Sequence, residues 1–197
     1  MKLFGHLNKD RDIAVLAGAF NPPTIAHWQL ALAARRHVGQ TLLVVPGRLP
    51  HKDPRRASLD ERVDLLRDLD PDLPIAVTDG GLFIDIAREI RRDAQIGGRI
   101  YFACGSDAAQ RIVEWDYGDT LDIRSQLEEY ELLVASRLGR FDAPPDLDGR
   151  VHNLDLDGAF DDVSSTEVRD RIALGLDWES LVPPSAVERV RKIYSRR

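Results

Sequence analysis

The 197-residue chain is 43% hydrophobic and 30% charged, proportions of a folded globular protein that are too polar for a membrane protein and too apolar for a disordered one. Its net charge of -6 argues against a nucleic-acid partner, which needs a clustered Lys/Arg excess, yet allows a small anionic ligand in a local cationic pocket. A single cysteine, Cys104, excludes an intrachain disulfide and a thiolate-rich zinc site and fits a reducing compartment.

Ile13 to Ala17 (IAVLA) is a short apolar run ending at Gly18, and Leu42 to Val45 (LLVV) is a second ending at Pro46-Gly47. Neither alternates polar with apolar residues, so both are predicted as buried parallel strands. The stretch between them, Ile25 to His37, is rich in Ala and Leu and predicts a helix, which completes a βαβ unit. Ser58 and Glu61 have capping-box spacing ahead of Val63, Leu65, Leu66 and Leu69, and Asp70-Pro71 stops that helix. A strand at Ile75 to Thr78, a helix across Phe83 to Asp93 and a strand at Ile100 to Cys104 follow. Leu132 to Ala135 is a further strand, and Phe141 to Gly149 a loop. Val151 to Leu156 alternates and predicts an edge strand, Ser165 to Leu174 a helix, and Pro183 to Arg197 a last helix with Val187, Val190 and Ile193 on one face. The alternation predicts an α/β fold: one domain over 1–197, a Rossmann-like doubly wound parallel sheet with a small C-terminal helical subregion. No apolar run of signal-peptide length opens the sequence, and none approaches the roughly 20 residues of a membrane span. A cytoplasmic protein without a membrane partner is therefore expected.

The segment Gly18-Ala19-Phe20-Asn21-Pro22-Pro23-Thr24-Ile25-Ala26-His27 lies after the first predicted strand and opens the first predicted helix. In an open parallel sheet this is where helix N–H groups meet anionic ligands, so the loop is read as a phosphate seat. Thr24 and His27, three apart at a helix start, fall on one face and could reach the same phosphate. Neither the dinucleotide pattern G-x-G-x-x-G nor the Walker pattern is present, which disfavours dehydrogenase and P-loop readings. Ser164-Ser165-Thr166-Glu167-Val168-Arg169, taken alone, is a helix cap. His6, His37 and His152 lack partners at metal-site spacing, so no intrinsic metal site is expected and all three are read as surface residues.

Together the two segments resemble the signatures of the nucleotidylyltransferase superfamily. GAFNPPTIAH is similar to its T-x-x-H variant, with Ala26 in place of the usual Gly, and SSTEVR to its S/T-S-T-x-x-R motif. Weaker matches point to the nicotinate and nicotinamide mononucleotide adenylyltransferases within it: Pro50-His51-Lys52, Gly105-Ser106-Asp107, the aromatic pair Trp115 and Tyr117, Arg137 after LLVA, and Leu181-Val182-Pro183. The resemblance implies an enzyme moving AMP from ATP onto nicotinate or nicotinamide mononucleotide, with Mg²⁺ carried by the ATP phosphates. It implies catalytic roles for Thr24, His27, Lys52 and Arg169. An ATP site is implied at Gly18, Ala19, Phe20, His27, Gly105, Asp107, Arg137, Ser164, Ser165, Thr166 and Arg169, and an acceptor site at Asn21, Lys52, Trp115 and Tyr117. Departures fall on the acceptor side, where Asp79-Gly80-Gly81-Leu82-Phe83-Ile84-Asp85 replaces a Ser-Tyr-Thr stretch and Leu138 a common Pro. A related transferase with another phosphate acceptor or CTP, or a nucleotide-binding regulator without turnover, stays open as an alternative, and a homo-oligomer is compatible with all of these.

Overall fold

Seven strands pair side by side in a computed structural model that describes residues 1–47, 57–118, 121–135, 140–147, 149–156 and 163–195. In chain order they are β1 (Lys2–Phe4), β2 (Ile13–Ala17), β3 (Thr41–Pro46), β4 (Ile75–Thr78), β5 (Ile100–Gly105), β6 (Glu131–Ala135) and β7 (Val151–Leu154), arranged β1-β4-β3-β2-β5-β6-β7. All neighbours are parallel except β1, which runs antiparallel to β4. The sheet is therefore the expected doubly wound one with an antiparallel edge added, and β7 is the predicted edge strand.

Side-chain alternation builds two cores. On β2, Ile13 and Val15 join one face with Leu42, Val44, Phe102, Leu132 and Val134, while Leu16 and Ala14 face the other. The helices are α1 (Ile25–Val38), α2 (Leu59–Arg67), α3 (Phe83–Glu89), α4 (Ser106–Glu114), α5 (Ile123–Glu129), α6 (Ser165–Leu174) and α7 (Val187–Tyr194). Small residues let α1 lie close to the sheet: Ala33 and Ala34 pack with Ala14 of β2 and Ala103 of β5. Gly39 ends α1 in the left-handed region (φ 99°), where its N–H reaches the Arg35 carbonyl at 2.7 Å. The predicted Ser58 capping box forms at α2, with Ser58 N–H donating to Glu61 at 2.7 Å and Glu61 N–H to Ser58 Oγ at 3.2 Å. The helix expected over Phe83 to Asp93 is α3 continued by a π-helical turn, Ile90–Ala94. A third cluster joins Leu65 of α2 to Val168 of α6, Trp178, Val182, and Val190 and Ile193 of α7, and it is the predicted helical subregion.

The chain runs outward from β2 through β3 to β4, then returns to β5 on the other side of β2. Strand order reverses between β2 and β5, so a crevice opens beyond their carboxyl ends, where such sheets hold ligands. Gly18 and Gly105 stand at its two lips. Behind the opposite end of the sheet, Gly98 packs so tightly that a Cβ there would sit 2.3 Å from the Arg11 carbonyl carbon and oxygen, whereas one at Gly97 would meet only the Lys9 oxygen at 3.6 Å. Gly98→Ala is expected to lower stability by about 2 kcal/mol or more, which is roughly 5 °C in thermal midpoint. Gly97→Ala should stay within about 0.5 kcal/mol. Equal midpoints for the two variants would contradict the packing.

Candidate functional site

The geometry of the candidate site begins with how the loop after β2 is held. Gly18 N–H continues the sheet by donating to the Val44 carbonyl (3.0 Å). Phe20 then takes a left-handed φ of 47° and turns its ring into the core. The ring lies over Gly18, where a Cβ would press to 3.3 Å of it, and meets His27 edge-on at 5.3 Å between centroids. The buried Arg62 of α2 bridges the loop to the end of β3, donating to the Ala19 carbonyl (3.2 Å) and the Pro46 carbonyl (3.1 Å).

Thr24 is the N-cap of α1, and His27 stands at the position where a capping box usually has Glu or Gln. Thr24 N–H donates to His27 Nδ1 (3.1 Å), Thr24 Oγ1 lies 2.7 Å from the same nitrogen, and His27 N–H returns to Thr24 Oγ1 at 3.4 Å. Because Nδ1 accepts, the neutral ring carries its proton on Nε2, ready to donate away from the helix. Desolvation by the surrounding protein pushes the imidazole from 6.5 down to about 4, so it is a neutral donor at neutral pH rather than a cation. Thr24 is one of the two side chains read as able to reach one phosphate. It is 0% exposed, and its hydroxyl serves the cap and the His27 ring instead.

The second expected segment meets the first. Ser164 caps α6 by accepting from Glu167 N–H (3.1 Å), and Ser165 Oγ donates to the Pro22 carbonyl (2.7 Å). Arg169 donates to the Asn21 carbonyl (2.6 Å), the Ser165 carbonyl (3.1 Å) and Thr166 Oγ1 (3.2 Å). The starts of α1 and α6, 143 residues apart between Pro22 and Ser165, thus stand together, and helix starts are places whose first-turn N–H groups favour anions. α1 has no acidic residue in its first turn, and the one in α6, Glu167, pairs with Arg171 at 2.5 Å.

Gly105 is the exposed N-cap of α4 across the crevice, with Asp107 exposed in the first turn. Cys104, one residue earlier, is buried with its thiol pushed up to about 12 by desolvation, which makes it inert as a nucleophile. Trp115 leaves α4 in extended conformation and is 64% exposed. Tyr117 is half-buried and donates to the Ile112 carbonyl (3.1 Å). Beyond β3 and β4, Pro46, Thr78, Asp79 and Gly80 line a cleft of about 310 Å³, at the segment that departs from the expected acceptor motif. Asn21, expected at the acceptor, is buried and its carboxamide oxygen accepts from Ala57 N–H (2.9 Å) and Tyr194 OH (2.7 Å). Lys52 and Arg137 lie outside the described residues. His152, expected at the surface, is half-buried and bonds Glu131 at 2.6 Å. Arg62 and Tyr194 went unnoticed in the sequence, although Arg62 sits beside Val63 on a helix whose neighbours are apolar.

The profile of the cytidylyltransferase-like family matches residues 15–171. The protein named probable nicotinate-nucleotide adenylyltransferase in Bordetella pertussis is 32% identical over 188 residues, 87% of this chain and 90% of that one. A phosphopantetheine adenylyltransferase of Chloroflexus aggregans is 28% identical over 187 residues, 94% and 98% of the two chains. Among solved structures, nicotinic acid mononucleotide adenylyltransferase of Plasmodium falciparum, complexed with APC, superposes with a TM-score of 0.65 at 16% identity, covering 92% of this chain and 95% of its own, which supports the fold. Among the described residues, no helix is long and apolar enough to cross a membrane.

The depressed His27 pKa has a sign that can be read in solution. Between pH 6.5 and about 4 the unfolded chain holds a proton on this ring that the folded chain does not, so this contribution is complete above pH 6.5 and is lost as pH falls. Partial exposure of the ring keeps the effect on the order of 2 kcal/mol. By NMR the His27 ring should titrate near pH 4, and wild type should lose more stability than His27→Asn between pH 6.5 and 4.5. A midpoint near 6.5 would contradict the desolvated, hydrogen-bonded ring.

Proposed function

We infer the reaction from one premise: this chain belongs to the cytidylyltransferase-like family of nucleotidylyltransferases. Within it, an adenylyltransferase that moves AMP from ATP onto nicotinate or nicotinamide mononucleotide is the reading we propose, the product being a dinucleotide of the NAD pathway. The observation that carries it is the hydrogen-bonded meeting of Asn21-Pro22 with Ser165 and Arg169 beside the His27 ring. Relatives named as nicotinate-nucleotide adenylyltransferases add support for the acceptor.

In this mechanism a phosphate oxygen of the acceptor attacks the α-phosphorus of ATP in line. A new P–O bond forms, the bond from the α-phosphorus to the bridging oxygen breaks, and pyrophosphate leaves with the electron pair. The acceptor phosphate is already anionic, so no general base is needed. Acceleration then comes from alignment, for which effective molarities can supply about 7 to 11 kcal/mol, and from fixed donors facing the charge that develops. His27 Nε2–H and the N-terminal amides of α1 and α6 are the donors proposed here, with Lys52 and Arg169 as the cationic contributors and Mg²⁺ arriving on the ATP phosphates.

A second acceptor class, phosphopantetheine, is favoured by one local observation. The cleft beside β4 carries Asp79 and Gly80, and the neighbouring Leu82 is 47% exposed, a surface that suits a neutral amide-bearing chain better than a carboxylate. Pyrophosphate release from ATP or CTP, with nicotinate mononucleotide, nicotinamide mononucleotide and phosphopantetheine in turn, separates these readings. The reading put first expects turnover with ATP and a pyridine mononucleotide; turnover only with phosphopantetheine or with CTP would replace it, and nucleotide binding with no release would point to a regulator. His27→Ala should cut kcat by at least about a hundredfold, the usual cost of losing a preorganised donor. A kcat near that of wild type would remove His27 from the mechanism.

A further inference from the structure

Asn21 stands where four segments of chain converge, and its side chain explains more than the loop it belongs to. The carboxamide oxygen accepts from Ala57 N–H (2.9 Å) and from Tyr194 OH (2.7 Å), both inside the protein. Its main-chain carbonyl accepts from Arg169 (2.6 Å), and the next carbonyl, Pro22, accepts from Ser165 (2.7 Å). Asn21 follows the left-handed Phe20 and precedes the Thr24 cap by three residues, so its position sets where the first turn of α1 begins. Ala57 directly follows the segment that carries Lys52. Tyr194 reaches this junction from α7, 173 residues away, while Arg189 on the same helix pairs with Asp68, the residue that caps the end of α2.

We propose that Tyr194 is a positioning residue for the transfer reaction, acting through its hydrogen bond to the Asn21 carboxamide, which fixes the phosphate-binding loop between α7 and the chain entering α2. On this account Asn21 contributes to the site by where it holds Thr24 and His27, not by touching the acceptor. A buried amide oxygen with two donors has one orientation; with one donor it can pivot, and the loop on which it sits can follow. The proposal rests on the nucleotidyl-transfer reading for its kinetic arm only, since nucleotide binding is read without any acceptor.

Tyr194→Phe keeps the ring and removes the hydroxyl. Affinity for MgATP should weaken about fivefold by calorimetry and kcat should fall about tenfold, with the acceptor KM moving less than twofold. Tyr130→Phe is the control: that hydroxyl is also buried, 3.2 Å from Gln126 Oε1, but it makes no bond to Asn21, so MgATP affinity should stay within twofold of wild type. In an Asn21→Ala background, adding Tyr194→Phe should change MgATP affinity less than twofold further, because the shared hydrogen bond is already gone. Unchanged MgATP affinity and kcat in folded Tyr194→Phe, equal losses in Tyr130→Phe, or full additivity with Asn21→Ala would each overturn the proposal. Should wild type transfer to none of the acceptors while still binding MgATP, the acceptor reading fails and the binding comparison continues to test Tyr194.

Discussion

Everything at the candidate site depends on two carbonyl groups, those of Asn21 and Pro22, being held by Ser165 and Arg169. Buried main-chain oxygens need partners, and here the partners come from the start of another helix. The bond from Arg169 is charge-assisted, which makes it stronger than an ordinary amide contact. Bringing two helix N-termini together opposes two partial positive charges of about half a unit each. These contacts are made by protein groups alone, so on the proposed reading a polyphosphate would enter a site whose repulsion it relieves and whose donors need little rearrangement.

His27 shows how the same local rules make a donor of a residue usually treated as a cation. The capping box at Thr24 fixes both the tilt of the imidazole and the location of its proton. Phe20 closes one side of the ring and contributes to the desolvation that keeps it neutral. A neutral Nε2–H can strengthen its hydrogen bond as charge grows on a phosphate oxygen, without holding the product by full ionic attraction. In the proposed reaction, Thr24 and Phe20 would thus act on the chemistry through His27.

Much of the fold was legible in the sequence because buried parallel strands leave uninterrupted apolar runs such as IAVLA and LLVV, which a doubly wound sheet requires. β1 was missed because three residues, Lys2–Phe4, half exposed at an edge, carry no such run. α4 was missed because it starts at the residue after β5 with no side-chain cap. α5 has only seven residues and shows little helical period. That the loop from Gly18 to His27 and the segment from Ser164 to Arg169 come together was legible from the paired motifs. The tasks of Arg62, Asn21 and Tyr194 were not, because each is defined by partners 16 to 173 residues away and none belongs to a local pattern. Thr24 illustrates the same limit: spacing put it on the His27 face, and only the backbone geometry shows its hydroxyl turned back onto the ring.

The stretch from Asp79 to Asp85 is where the sequence departs from the nicotinate pattern. Gly80 has to be small, since a Cβ there would lie 2.9 Å from the Asp85 side chain and 3.1 Å from Glu89, and Thr78 holds this turn by accepting from Gly80 N–H and donating to Glu89, both at 2.9 Å. The nucleotide end carries the more general claim, that α1 and α6 jointly seat one polyphosphate. A crystal structure with a non-hydrolysable ATP analogue and Mg²⁺ tests it most directly. The account predicts a phosphate oxygen within roughly 3 Å of His27 Nε2 and the amides opening α6 facing the same triphosphate. A nucleotide bound elsewhere on the sheet, or touching only one of the two helix starts, would contradict it.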